Sequence, residues 1–170
     1  MTDTEELQDE ADSVLNTGDE RGLRRRIRLK AMDLLARREY GCRELEQRLQ
    51  RADFPAALIG ETCAALQAEG LLSDERFVES FISARRSRGQ GPVRIRAELH
   101  ERGIDDALIS AALDPRDPGW LDCLREVHQK RFAGKFPETL SERARQQRFL
   151  GYRGFTAEQI RQLFRIDDDG

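Results

Sequence analysis

The sequence predicts an all-α protein made of three tandem three-helix repeats. Apolar residues recur at helical spacing along most of the 170-residue chain, and no stretch alternates as a strand would. Runs of β-branched residues are rare, and there are only five prolines. With 36% charged residues, the chain has more charged surface than a compact sphere needs. These observations predict about nine helices in an elongated body.

The repeat is clearest where one helix should end and the next begin. Phe54, Ile104 and Phe155 occupy equivalent positions, 50 and 51 residues apart. Gly103 and Gly154 stand just before two of these anchors, where a helix C-terminus favours a left-handed residue. Three stretches align there without gaps: LQRADFPAALI (49–59), LHERGIDDALI (99–109) and LGYRGFTAEQI (150–160).

Each repeat opens its last helix with a residue that suits a helix start. Pro55 has its φ already set for a first turn, and Asp105 and Thr156 can accept hydrogen bonds from free backbone amides. Thr156 with Gln159 is also typical of a capping box. Ser73 is available as an N-cap in the second repeat, and Pro92 suits a first helical turn.

Two further helical patterns precede each of these turns. They are RIRLKAMDLLARRE and CRELEQRL in the first repeat, DERFVESFISARRSR and PVRIRAELHERG in the second, and WLDCLREVHQKRF and LSERARQQRFL in the third. We expect repeats at 23–72, 73–114 and 115–166, between an acidic disordered segment at 1–22 and an acidic tail at 167–170. Stacked neighbours would complete each core. The alternative is one globular nine-helix bundle.

Charge is distributed unevenly along the chain. The net charge is −3, yet residues 21–166 hold all 29 basic residues and only 21 of the 32 acidic ones. Most of the bases are arginine, which suits carboxylate or phosphate recognition better than lysine does. This asymmetry indicates nucleic acid or an acidic protein surface as the partner, without choosing between them.

The first candidate contact surface surrounds the turn Gly89-Gln90-Gly91-Pro92. No acidic residue occurs between Glu79 and Glu98, so partners at helical spacing cannot neutralise every arginine there. We therefore expect these arginines to bind a partner; the alternatives are a solvated helix face or pairs with acids of a neighbouring repeat. The arginines are Arg85, Arg86, Arg88, Arg94 and Arg96.

Two more basic clusters compete with the first. RGLRRRIRLK (21–30), which includes Arg24, Arg25 and Arg26, is a second candidate for contact with nucleic acid or a protein partner, with the acidic segment before it as an electrostatic screen. On the last repeat we favour ordinary surface charge over a binding role. That cluster comprises Arg143, Arg145, Arg148 and Arg153.

Enzyme and metal chemistry find little support. The lone Gly-x-Gly lacks the third glycine and the preceding strand of a phosphate-binding loop, so it predicts a turn. His100 and His128 have no partner at metal-ligand spacing, and an odd count of three scattered cysteines predicts neither a zinc site nor a disulfide framework. We expect no cofactor, no small-molecule ligand, no signal peptide or membrane span, and a cytoplasmic location.

These motifs resemble the RecX regulatory protein family over about residues 30–164. The resemblance rests on LLARREYGCRELEQRL, on GLLSDERFVESFISARRSRGQGPVRIRAELHERGI and on RFLGYRGFTAEQI. Asp74, Phe77 and Leu99 are among its most diagnostic residues. One departure is Gly41, where the family pattern has Ser at the start of the second helix.

The resemblance implies three tandem three-helix repeats in an extended, curved body. It also implies a regulator in recombination, DNA repair and the SOS response. Such a protein binds RecA, as monomer and filament, and inhibits its ATPase, strand-exchange and co-protease activities. We expect a monomer. The alternatives are a basic helical module that binds single- or double-stranded DNA without RecA, and a helical-repeat adaptor for an unrelated partner.

Overall fold

The structure is a computed structural model that describes the backbone of residues 3–168 and the side chains of residues 19–165. Within these residues the chain forms nine helices and no strand, which confirms the all-α prediction. The turns divide the helices into three successive groups of three. The helices are α1 (Asp3–Leu35), α2 (Cys42–Gln50), α3 (Ala56–Ala68), α4 (Asp74–Ser87), α5 (Pro92–Glu101), α6 (Asp106–Ala112), α7 (Gly119–Phe132), α8 (Leu140–Tyr152) and α9 (Ala157–Asp168).

The described chain divides into two compact units, one ending at Asp74 and the other beginning at Glu75. The first unit contains α1 to α3 around one apolar core, in which Ile27, Leu45 and Leu66 are fully buried. The second unit contains the rest of α4 and all of α5 to α9 around two cores. Trp120 is buried in the first of these and Leu124 in the second.

Each of the three repeated turns has a left-handed residue just before its anchor. Gly103 has a φ of 77° and Gly154 a φ of 95°, which confirms the prediction from helix ends. The equivalent residue of the first repeat is Asp53, with a φ of 57°. Asp tolerates this conformation better than most residues, although it still costs free energy that Gly does not pay.

The predicted caps are present at the last helix of the second and third repeats. The Thr156 hydroxyl accepts a hydrogen bond from the Gln159 amide at 3.1 Å, and the Gln159 side chain accepts one from the Thr156 amide at 2.9 Å. The Asp105 carboxylate accepts from the Ala107 amide at 2.9 Å. Pro92 is the first residue of α5, as expected.

The glycine before α2 is compensated by a distant carboxylate. Gly41 is the N-cap of α2 and has no side chain to offer. Instead, Oδ1 of Asp74 accepts a hydrogen bond from the Cys42 amide at 2.8 Å. A negative charge at a helix N-terminus satisfies a free amide and interacts favourably with the helix dipole. Asp74 therefore replaces the missing serine.

The first helix continues into the acidic N-terminal segment, for which the sequence predicts disorder. Its backbone is helical from Asp3. Met1, Thr2, Asp169 and Gly170, and every side chain before residue 19, lie outside the described residues. The order of segment 1–22 in solution, the tail at 167–170 and the three repeat boundaries stay predictions.

Candidate functional site

The Gly-x-Gly-Pro turn between α4 and α5 packs directly against the turn between α8 and α9 in the third repeat. The Gly91 amide donates to the Arg153 carbonyl at 2.8 Å, and the Val93 amide donates to the Gly154 carbonyl at 3.0 Å. A Cβ on Gly91 would overlap the Gly154 backbone, and a Cβ on Gly154 would overlap Arg94. Glycine is required here for backbone contact, which confirms that the motif is a turn.

The Arg153 side chain adds further hydrogen bonds between the same two turns. Its Nη2 donates to the Arg88 carbonyl at 2.7 Å and its Nε to the Gly89 carbonyl at 3.1 Å. These carbonyls follow the C-terminus of α4, where a cation is favoured by the helix dipole. Arg153 is therefore a structural residue, and the interpretation of it as ordinary surface charge is wrong.

Two arginines of the first candidate surface share one carboxylate. Glu98 accepts from Nε of Arg85 at 2.8 Å and from Nε of Arg94 at 3.1 Å. Burial alone would raise the pKa of the Glu98 carboxyl, but the hydrogen bonds and charges of Arg94 and Arg85 outweigh it and hold the pKa below its ordinary value. Glu98 is thus ionised and neutralises part of the surface.

Arg86 reaches an acid outside the helices that flank the turn. Its guanidinium pairs with Asp117 at 3.1 Å and lies 4.5 Å from the centre of the Trp120 ring. The Gly119 amide, which donates to the carboxylate, and Arg86 together hold the pKa of Asp117 below its ordinary value despite its desolvation.

Arg96 also has an acidic partner. It donates to Asp106 at 2.7 Å and to the Ser110 hydroxyl at 3.2 Å. Four of the five arginines therefore pair with acids of this chain, and only the pair of Arg94 with Glu98 is at helical spacing. Among the described residues Arg88 alone of the five is exposed with no side-chain partner. A binding role for the set stays a prediction.

The basic segment of α1 forms an ion pair with α3. Arg24 pairs with Glu61 at 3.0 Å and with Glu20 at 3.4 Å. Arg26 lies 5.8 Å from the centre of the Phe54 ring. Arg25 is exposed and has no carboxylate partner among the described residues. The pair between Arg24 and Glu20 joins the basic segment to the acidic one, whereas screening by the earlier acids stays a prediction.

A second basic surface, with more cations than carboxylates, lies on the last repeat, where the sequence favoured ordinary surface charge. Arg131 lies 5.7 Å from the ring centres of Phe132 and Phe149. Arg145 and Arg148 are exposed on α8 and have no carboxylate partner in the described part of the chain. We call the following residues the α7–α8 basic surface: Lys130, Arg131, Lys135, Arg145, Arg148 and Tyr152.

Two open cavities border this surface. One, of about 620 Å³, is lined by Lys130, Arg131, Lys135 and Arg145, with the carboxylates of Glu138 and Glu142. The other, of about 290 Å³, shares Lys130 and Arg131 and extends to Arg88. The second cavity also includes the carboxylate of Glu126. The five cations of the surface outnumber these three carboxylates, so the surface keeps an excess of positive charge.

Tyr152 is the residue that sequence reasoning missed. Its side chain is 80% exposed at the end of α8, and the Arg94 guanidinium lies 5.9 Å from its ring centre. Positions 145, 148 and 152 follow helical spacing, so both arginines and the ring lie on one face of α8. That spacing was the signal available in the sequence.

The thiols and histidines have structural surroundings. Burial raises the pKa of Cys42 to about 12 and that of Cys63 to about 11, so neither is a reactive thiolate at neutral pH. Nε2 of buried His128 is 2.8 Å from Oε1 of Gln146. Within the described residues no group of three or more His, Cys, Asp or Glu side chains could hold a metal. No described helix is long and apolar enough to span a membrane.

Comparisons with known proteins agree with the three-repeat organisation. Models of the first, second and third three-helix domains of RecX match residues 28–66, 73–113 and 121–164. Regulatory protein RecX of Pseudomonas fluorescens is 46% identical over 137 residues, which are 81% of this chain and 88% of that protein. Regulatory protein RecX of Halorhodospira halophila is 44% identical over 135 residues, or 79% and 84%.

Solved structures share the fold at lower identity. A crystal structure of regulatory protein RecX has a TM-score of 0.74 at 16% identity, covering 89% of this chain and 76% of that one. The crystal structure of RecX from Lactobacillus salivarius has a TM-score of 0.72 at 20% identity, covering 86% and 97%. Together, the three domain matches and the close relatives show that this chain belongs to the RecX family.

Proposed function

We propose that this chain binds RecA, as monomer and as nucleoprotein filament, and inhibits its ATPase, strand-exchange and co-protease activities. The proposal rests on the match of all three repeats to the RecX family, whose relatives are named regulatory proteins. The chain would act as a monomer in the cytoplasm, by contact and without catalysis or a cofactor. Through RecA it would regulate recombination, DNA repair and the SOS response.

The contact would depend on arginines that the fold leaves available. Arg88 in the second unit and Arg25 in the first are exposed and have no carboxylate partner among the described residues. Pairing an arginine with a carboxylate on RecA would form charge-assisted hydrogen bonds. Arg85, Arg86, Arg94 and Arg96 would support such a contact indirectly, because each is already held by an acid of this chain.

Occupation of the filament groove would explain inhibition. A helical protein bound there would contact neighbouring RecA subunits, block access of the second DNA strand and hinder further subunit addition. Electrostatic attraction between arginines and an acidic partner would mainly raise the association rate.

The contact can be tested with RecA filaments assembled on tethered single-stranded DNA. Arg88→Glu should weaken binding of this protein by about tenfold or more, since it replaces attraction by repulsion. Arg116→Glu is the matched control, because Arg116 is also exposed in the second unit and its side chain has no described partner. If the two variants bind RecA filaments equally well, Arg88 does not contribute to the interface.

A second candidate function is DNA binding without RecA. The α7–α8 basic surface favours it, because its charge excess and exposed ring suit a polyanion with aromatic bases.

A further inference from the structure

The α7–α8 basic surface carries five cations, and the cavities beside it include only three carboxylates, those of Glu126, Glu138 and Glu142. Lys130 reaches Glu126 only at 3.7 Å, with both side chains mostly exposed. Arg148 donates weakly to the Ala144 carbonyl at 3.4 Å, which leaves the charge of its guanidinium unpaired. Exposed cations that fold without carboxylate partners are available to phosphates, and their binding releases counterions.

An exposed aromatic ring stands among these cations. Tyr152 is 80% exposed, whereas the chain's other tyrosine, Tyr40, and its tryptophan, Trp120, are buried at 8% and 2% exposure. Arg148 lies one helical turn before Tyr152, and Arg145 lies two turns before it. A ring with a free face, flanked by guanidinium groups, is the arrangement on which unpaired bases stack.

Two features favour single-stranded nucleic acid over an acidic protein surface. Carboxylates would pair with the arginines but would make no use of the exposed face of Tyr152. Duplex DNA would meet the charges, yet its bases are stacked on each other and cannot reach the ring. A single strand satisfies both, because its phosphates meet the arginines while a base covers the ring.

We infer that the α7–α8 basic surface is a binding site for single-stranded nucleic acid, in which Arg145 and Arg148 contact phosphates and Tyr152 stacks on a base. This site needs no RecA, so it is separate from the proposed RecA contact. In the presence of a filament it would place this protein against exposed single strand.

The test uses the full chain, without RecA, and a fluorescent oligothymidylate of about 16 nucleotides. Anisotropy measured over a salt series gives the dissociation constant and its salt slope. Arg145→Ala with Arg148→Ala should reduce the salt slope by about 1.4, which is about 0.7 for each lost phosphate contact. The control, Arg125→Ala with Arg161→Ala, makes the same charge change at arginines paired with Asp122 and Glu158, and should keep the slope.

The ring is tested by three replacements at one position. Tyr152→Ala should weaken binding to the oligothymidylate by about 5- to 100-fold, whereas Tyr152→Phe should keep the affinity within a few-fold. Tyr152→Trp should show fluorescence quenching on addition of the single strand, against the constant signal of buried Trp120. A duplex of the same length should bind equally well to the parent and to Tyr152→Ala.

Three outcomes would overturn the inference: no binding of the parent to the oligothymidylate, an unchanged affinity for Tyr152→Ala, or an unchanged salt slope for the double arginine variant. If the double arginine variant binds the oligothymidylate normally but loses RecA, the surface is a protein contact and the inference is wrong. Because the DNA assay contains no RecA, its failure leaves the proposed function standing. Conversely, if RecA activity is unchanged when this protein is added, the single-strand binding measured without RecA is still valid.

Discussion

The substitution Gly91→Ala tests the close backbone contact between the second and third repeats. Gly91 has a φ of −86°, so Ala is compatible with its backbone conformation. What Ala meets instead is the neighbouring turn, since its Cβ would overlap the Gly154 carbonyl group and the Phe155 amide nitrogen. The substitution therefore measures close packing of two backbones without added backbone strain.

The expected cost follows from what the methyl group displaces. Separating the turns weakens the hydrogen bonds from Gly91 to Arg153, at 2.8 Å, and from Val93 to Gly154, at 3.0 Å. Each is worth about 0.5–1.5 kcal/mol net, and overpacking costs about 1–3 kcal/mol. Because the backbone can relax and exchange part of one cost for the other, we expect Gly91→Ala to lower the free energy of unfolding by about 2–4 kcal/mol.

Urea unfolding followed by tryptophan fluorescence measures this cost. Trp120 is the only tryptophan and is buried in the second unit, so its emission reports that unit. The matched control is Gly151→Ala in α8, where an added Cβ meets nothing within 4 Å. Ala is the better helix former there and should raise the free energy of unfolding by about 0.5–1 kcal/mol. A Gly91→Ala variant as stable as the parent would show that the two turns are not closely packed.

Three other substitutions test local interactions. Glu98→Gln should cost about 1–2 kcal/mol at neutral pH, because Arg85 and Arg94 lose a shared carboxylate. Since the pKa of Glu98 is lowered in the folded protein, that stabilisation is present above its unfolded pKa and is lost as pH falls through the folded one; thermal melts should therefore converge at acid pH, and a constant difference would contradict the pairing. Asp74→Ala should cost about 0.5–2 kcal/mol and speed hydrogen exchange at the start of α2, unless the cap is dispensable. Asp53→Gly should raise the free energy of unfolding by about 0.5–1 kcal/mol in thermal melts, because Gly adopts the left-handed conformation at lower cost. A lower free energy of unfolding would show that Asp is preferred there.

The repeat and its turns could be predicted because their signals are local. A glycine before each of two anchors, followed by a capping residue, specifies a helix end and a new helix within a few positions. Gly103 and Gly154 are left-handed as that pattern requires. The same reasoning extends to Asp53 only through alignment of the repeats, because Asp alone does not demand such a conformation.

Three of the four ion pairs of the central arginines could not be predicted from helical spacing, because their partners lie ten or more residues away. Glu98 is 13 residues from Arg85, and Asp117 is 31 residues from Arg86. Helical spacing finds partners three or four residues away and misses those that the fold brings together. An acid-free stretch of sequence is therefore not an acid-free surface.

The exposed ring was missed for a different reason. Apolar periodicity marks which residues share a helix face, but it does not say whether that face meets a core. On α8 the buried face passes through Gln146 and Leu150, while Tyr152 lies on the opposite side with Arg145 and Arg148. Only the packing of the helix distinguishes the two faces.

Inhibition of RecA is tested most directly by measuring the RecA ATPase rate on single-stranded DNA as this protein is added, with DNA in excess over both proteins. Excess DNA prevents simple competition for binding sites from causing inhibition. If this protein acts on the filament, inhibition should occur well below one molecule of this protein per RecA. An unchanged ATPase rate, even at a molar excess of this protein over RecA, would contradict it.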